Sequence, residues 1–195
     1  MPLGANKAAI MGVAGVSTGD VVLLYDTDHS NASTASITSG IDSTYGEYIF
    51  KFYNINPATD DADFTFQTST DGGSNYNLTL TSTVFFAYQT EDNSSNTLSY
   101  LTAQDQAQGT AFQSLHHDTG NAADECCVGE LHLFNPASTT YVKHWYARFA
   151  GSQSNNIIQD EYSAGYFNTT SDIDAVQFKM ASGNFDGTIK MWGVK

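Results

Sequence analysis

Aromatic and β-branched residues recur along this chain in short runs, each closed by Gly, Asn, Asp or Pro. A chain punctuated in that way cannot build long helices. The strongest run is Tyr48-Ile49-Phe50-Lys51-Phe52-Tyr53-Asn54-Ile55, stopped by Asn56-Pro57. Its alternation puts Tyr48, Phe50 and Phe52 on one face. Asp63-Phe64-Thr65-Phe66-Gln67-Thr68 alternates as cleanly, with Phe64 and Phe66 directed inward. Near the end, Phe178 and Met180 share one parity, while Ile189, Met191 and Gly193 oppose Lys190, Trp192 and Val194. With the turn Ser182-Gly183-Asn184-Phe185-Asp186-Gly187 between them, these two runs predict a closing hairpin, so that the chain finishes inside a sheet without a flexible tail.

Further strands are expected at residues 21–25, 35–38, 76–88, 128–134, 141–149 and 162–169. Residues 91–96, 116–125 and 151–159 read as polar loops, and the Gln- and Ala-rich stretch 102–115 as a possible short helix. Nine or ten strands separated by turn clusters predict an all-β fold, a jelly-roll-like antiparallel β-sandwich. A chain of 195 residues is long enough to bury about 70% of its unfolded surface in one core. The expected organisation is therefore an ordered N-terminal arm, residues 1–19, followed by a single β-sandwich domain, residues 20–195. The arm carries four glycines and four alanines, buries little by itself, and is expected to lie against a neighbouring subunit.

Charge narrows the partners. The chain holds 21 acidic residues against 7 Lys and Arg, a net charge of −14, which repels nucleic-acid phosphates. The acids are scattered, with small clusters at Asp60-Asp61-Asp63 and Asp124-Glu125, as expected of a solvated outer surface. No stretch of roughly 20 apolar residues is available to span a membrane, and residues 1–17 lack the charged start and apolar core of a signal peptide. The adjacent Cys126 and Cys127 point to opposite faces of a strand and are expected as two free thiols, with no disulfide.

Candidate chemistry is sparse. Ser69-Thr70-Asp71-Gly72-Gly73-Ser74-Asn75-Tyr76 resembles the S-x-D-x-G-x-x-W hairpin of sialidase-like proteins, with Tyr76 in place of Trp, and reads as a structural turn. His29, His116, His117, His132 and His144 lack zinc-ligand spacing, so no metal or other cofactor is expected. Asp124, Glu125, Glu130, Asp160 and Glu161 supply carboxylates, but nothing in their spacing selects an acid–base pair. No phosphate loop occurs, and nothing marks any serine as an activated nucleophile. The chain is expected to be non-enzymatic, with no catalytic residue. An aromatic platform for a glycan or protein partner is the one remaining candidate, formed by Tyr141, Trp145, Tyr146 and Trp192. Tyr141 and Trp145 share a parity with Phe149 that Tyr146 opposes, so one of these faces looks away from the core.

Three segments carry a family resemblance: residues 1–15 (MPLGANKAAIMGVAG), 41–77 (IDSTYGEYIFKFYNINPATDDADFTFQTSTDGGSNYN) and 178–195 (FKMASGNFDGTIKMWGVK). They resemble a group of marine tailed-phage proteins known mostly from uncultured viral genomes and labelled virion structural proteins or hypothetical. The resemblance implies a particle component with an all-β fold and transfers no catalytic motif. The expected function is a self-associating capsid decoration or cement subunit, a homotrimer bound to another virion protein and made in the host bacterial cytoplasm. The alternative is a tail- or fibre-associated receptor-binding domain that takes a host surface glycan.

Overall fold

The computed structural model describes residues 20–195; the predicted arm, residues 1–19, lies outside the described residues. Thirteen strands and no helix make up the described chain. They are β1 (Val21–Ala32), β2 (Ala35–Ile37), β3 (Glu47–Pro57), β4 (Ala62–Ser69), β5 (Leu80–Thr90), β6 (Asn96–Tyr100), β7 (Ala107–Gly109), β8 (Gln113–Thr119), β9 (Cys127–Phe134), β10 (Lys143–Gln153), β11 (Ile157–Phe167), β12 (Ala175–Met180) and β13 (Phe185–Val194). The fold is an all-β sandwich of two antiparallel sheets. The large sheet runs β1-β13-β3-β9-β10-β11-β5-β6, with β7 paired to β5, and the small sheet runs β2-β12-β4-β8.

Setting aside β5–β7 and β10–β11 leaves β1-β13-β3-β9 facing β2-β12-β4-β8, an order compatible with a jelly roll. The strands set aside come from two insertions in the chain. They extend the large sheet past β9, so one face of the molecule is far broader than the other.

The core lies between the sheets and is largely phenylalanine. From the small sheet, Phe64, Phe66 and Phe178 meet Phe50, Phe52, Trp145 and Phe149 of the large one, with ring centroids 5.4 Å apart for Phe50–Phe178, 5.4 Å for Phe52–Phe64 and 5.0 Å for Phe66–Trp145. Tyr48, Met180, Ile189 and Met191 are buried in the same cluster, so the predicted parities hold. These edge-to-face and tilted contacts are the geometry that aromatic quadrupoles favour.

The expected closing hairpin is not formed. β12 pairs with β2 and β4, whereas β13 pairs with β1 and β3. Residues 181–184 therefore cross from one sheet to the other, with Gly183 at φ 75° inside the crossing. The physical reason is burial: both runs must direct an apolar face into the same core, and from opposite sheets they do so without competing for one side. The helix expected within residues 102–115 is also absent, since that stretch supplies β7 and the start of β8. Residues 151–159 are the tight turn and flanking ends of β10 and β11 rather than a loop.

The Ser69–Tyr76 segment is a turn but not a hairpin, since β4 before it belongs to the small sheet and β5 after it to the large one. Asp71 Oδ1 accepts hydrogen bonds from Ser69 Oγ at 2.6 Å and from the Asn75 amide at 2.9 Å, and its Oδ2 accepts from Asn75 Nδ2 at 2.7 Å. The donors from Asn75, then Ser69, hold the carboxyl down at about 2. A carboxyl depressed in the folded state contributes stability above its unfolded value and loses it as pH falls. Asp71→Ala is accordingly expected to remove one component of acid unfolding between pH 3.8 and about 2. Melting curves of the two proteins across that window check this.

Candidate interaction surface

Strand pairing builds the outer face of the large sheet row by row. One row crosses the sheet as Leu23, Trp192, Ile49, His132, Tyr146, Ala164 and Thr83. The next reads Asp26, Lys190, Lys51, Glu130, Arg148, Tyr162, Phe85 and Tyr100. Each residue is here because its neighbours two positions apart share its side of the pleat, while the intervening ones (Phe50, Leu131, Ala147, Val84) are buried beneath.

This face is apolar for an exposed one. Of the ten large apolar side chains standing exposed among the described residues, nine project from it: Val21, Leu23, Tyr53, Phe85, Leu98, Tyr100, Val128, Tyr146 and Ile158. The tenth, Tyr141, is 73% exposed in the connection before β10. Rings on the face are mutually ordered. His132 stacks on Tyr146 at 4.6 Å, Phe85 on Tyr162 at 5.0 Å with planes 3° apart, and the Arg148 guanidinium sits 5.1 Å over Tyr162.

Charges on the face come in opposed pairs. Lys51 meets Glu130 at 3.2 Å, Lys190 meets Asp26 at 2.9 Å, and Arg148 binds both oxygens of Asp160 at 3.0 and 2.9 Å. His132 Nδ1 lies 2.6 Å from Glu47 Oε1. Three of the seven Lys and Arg and six of the 21 acids (Asp26, Asp28, Glu47, Glu130, Asp160 and Asp186) stand here. The face therefore holds a larger share of the cations than of the acids.

The four sequence-predicted aromatics do not form one platform. Trp145, 2% exposed, belongs to the core against Phe66, which corrects its placement as partner-facing. Tyr146 and Trp192 lie in one row of the outer face, and Tyr141 stands apart from both. Trp145 and Phe149 share the inward parity and Tyr146 has the outward one, while Tyr141 precedes β10 and does not follow the alternation. Phe85, Tyr162, Lys51 and Arg148 were missed because their faces became readable only once the register was known.

A second polar group lies inside. His116 and His117 were expected in a loop, but both are buried in β8, the edge of the small sheet that runs beneath β10 and β11. There Glu161, wholly buried on β11, accepts the His117 amide at 3.1 Å, approaches His117 Nδ1 at 2.7 Å, and accepts Gln159 Nε2 at 3.2 Å. Farther along, Ser82 Oγ donates to Gln113 Oε1 at 2.6 Å. An edge strand buried under another sheet would leave its backbone donors unpaired, and Glu161 supplies an acceptor for the one at His117. Among the described residues no group of three or more His, Cys, Asp or Glu side chains is placed to hold a metal ion. Cys126 and Cys127 are both free, and burial pushes both thiols up, Cys127 most. Among the described residues no helix is long and apolar enough to cross a membrane.

No known family matches the chain, and no curated protein does. Among solved structures, a structural-genomics protein of unknown function from Bacteroides ovatus is similar over 54% of this chain and 45% of its own, at 7% identity and a TM-score of 0.29. A likeness at that level carries no argument.

Proposed function

We propose that this protein is a non-enzymatic structural subunit of a tailed-phage particle, a capsid decoration or cement protein that acts by self-association and attachment to another virion protein. The observation that carries this reading is the concentration of exposed apolar side chains on the outer face of the large sheet. Gathering nine of the ten exposed large apolar side chains of the described residues on one face marks that face as a macromolecular contact. The particle itself comes from the resemblance of residues 41–77 and 178–195 to marine tailed-phage proteins. The jelly-roll-compatible strand order suits a particle subunit. The acidic surface argues against nucleic acid as the partner, and the site of action is the virion, with synthesis in the host bacterial cytoplasm.

A tail or fibre domain that binds a host glycan is the second reading, favoured by Tyr146 and Trp192 in one row of the face. They stand three strands apart, about 14 Å, which suits an oligosaccharide better than a single sugar. Peptide mass spectrometry and cryo-electron microscopy of purified particles test the first reading: the protein should be present at high copy on the capsid shell. Its absence from the particle sinks that reading. A location at the tail tip, with glycan binding lost in Trp192→Ala, moves the assignment to the second.

A further inference from the structure

We infer that the outer face of the large sheet is the docking site for a second copy of this chain, stacked face to face about a two-fold axis that runs along the boundary between β9 and β10. The inference rests on the self-associating reading above and names the surface and symmetry through which it happens.

The argument is the order of side chains across the central row. On the jelly-roll side of the boundary the row is charged: Lys190, Lys51 and Glu130. On the inserted side it is Arg148 followed by aromatic rings, Tyr162 and Phe85. A two-fold axis parallel to the strands lays the row on its own reverse. Glu130 then meets the second copy's Arg148, Lys51 meets its Tyr162, and Lys190 meets its Phe85. The first is an ion pair and the other two put cations over rings. The same operation leaves no like charges opposed within these three pairs. It sets the charged half of the row against its aromatic half.

Area and charge agree with this. Eight strands at about 4.8 Å spacing and four outward rows about 6.7 Å apart cover about 1,000 Å² per copy, enough for a stable interface of standard size. Fifteen of the 21 acids but only four of the seven Lys and Arg lie off this face, so the other sides carry most of the net negative charge. Twisted sheets stacked face to face cross at about 30°, so the register rests on pairs nearest the axis, Glu130 with Arg148 above all.

Sedimentation velocity on the full chain is the test. The wild type should sediment as a dimer. Arg148→Glu and Glu130→Arg should each weaken association about tenfold or more, and Phe85→Asp likewise, with melting temperatures near wild type. The double reversal E130R/R148E should restore dimerisation. A wild type that stays monomeric at high concentration overturns the inference, as does an oligomer indifferent to both Arg148→Glu and Phe85→Asp. A monomer that is nevertheless found in purified particles removes the pairing and leaves the particle reading standing. A dimer that obeys the charge reversals but is absent from particles does the opposite.

Discussion

Phe64→Ala is expected to destabilise the fold by about 3–5 kcal/mol, the usual cost of truncating a buried phenylalanine and leaving a cavity. Phe64 is wholly buried, and its ring meets Phe52 at 5.4 Å, Phe185 at 5.8 Å, Phe149 at 6.0 Å and Phe178 at 6.1 Å, residues of both sheets. No neighbour can collapse into the space without abandoning a contact of its own. Against a typical domain stability of about 5–15 kcal/mol, the loss takes a large share. Phe85→Ala on the outer face should cost about 1 kcal/mol in the monomer, the worth of its stacking on Tyr162. Urea denaturation of both variants checks the contrast. Comparable losses at the two positions would mean that the core is not where the ring contacts place it.

His117→Ala is the second large effect, about 3–5 kcal/mol, because it strips a partner from a buried carboxylate. Glu161 would keep the residue-117 amide and Gln159 Nε2 but lose the ring nitrogen at 2.7 Å. In a polar loop over residues 116–125, truncating His117 to Ala would change stability little. Burial of His117 and Glu161 reverses that expectation. Burial is the largest influence on the His117 imidazole and would lower its pKa, but the Glu161 hydrogen bond and charge, with Asp118 and Asp63, outweigh it and raise it above 6.5. A histidine raised in the folded state contributes stability that is full below its unfolded value and is lost as pH rises through the folded one. Wild-type stability should therefore decline above pH 6.5 relative to His117→Ala. An NMR titration of the His117 ring should show its raised midpoint fall in Glu161→Gln.

The neighbouring His116 behaves oppositely. Wholly buried, with its Nδ1 2.8 Å from Thr119 Oγ1, it is pushed down to about 3 by desolvation and by His117. Two adjacent histidines thus end with opposite shifts because alternate faces of one strand meet different surroundings. Nothing in the dipeptide itself distinguishes them.

By itself the sequence determined the all-β class, the turn at 69–76, and the inward parity of Tyr48, Phe50, Phe52, Phe64, Phe66, Phe178 and Met180, although β3 runs through Asn56-Pro57 instead of stopping before them. Those properties are local: a period of two and a turn residue act over a few positions, and each run carries its own signal. Tertiary structure alone decided which run pairs with which. The closing runs are separated by only four residues yet join different sheets, since the shared core, not sequence proximity, sets their partners. The same holds for β8, whose polar His116-His117 reads as a loop until Glu161 and Gln159 are brought over it from some forty residues away. The outer face is the clearest case. Lys51, Glu130, Arg148, Tyr162 and Phe85 come from five strands and become one row only when their registers are set. A contact surface assembled across strands has no signature along the chain, because its order runs perpendicular to the backbone.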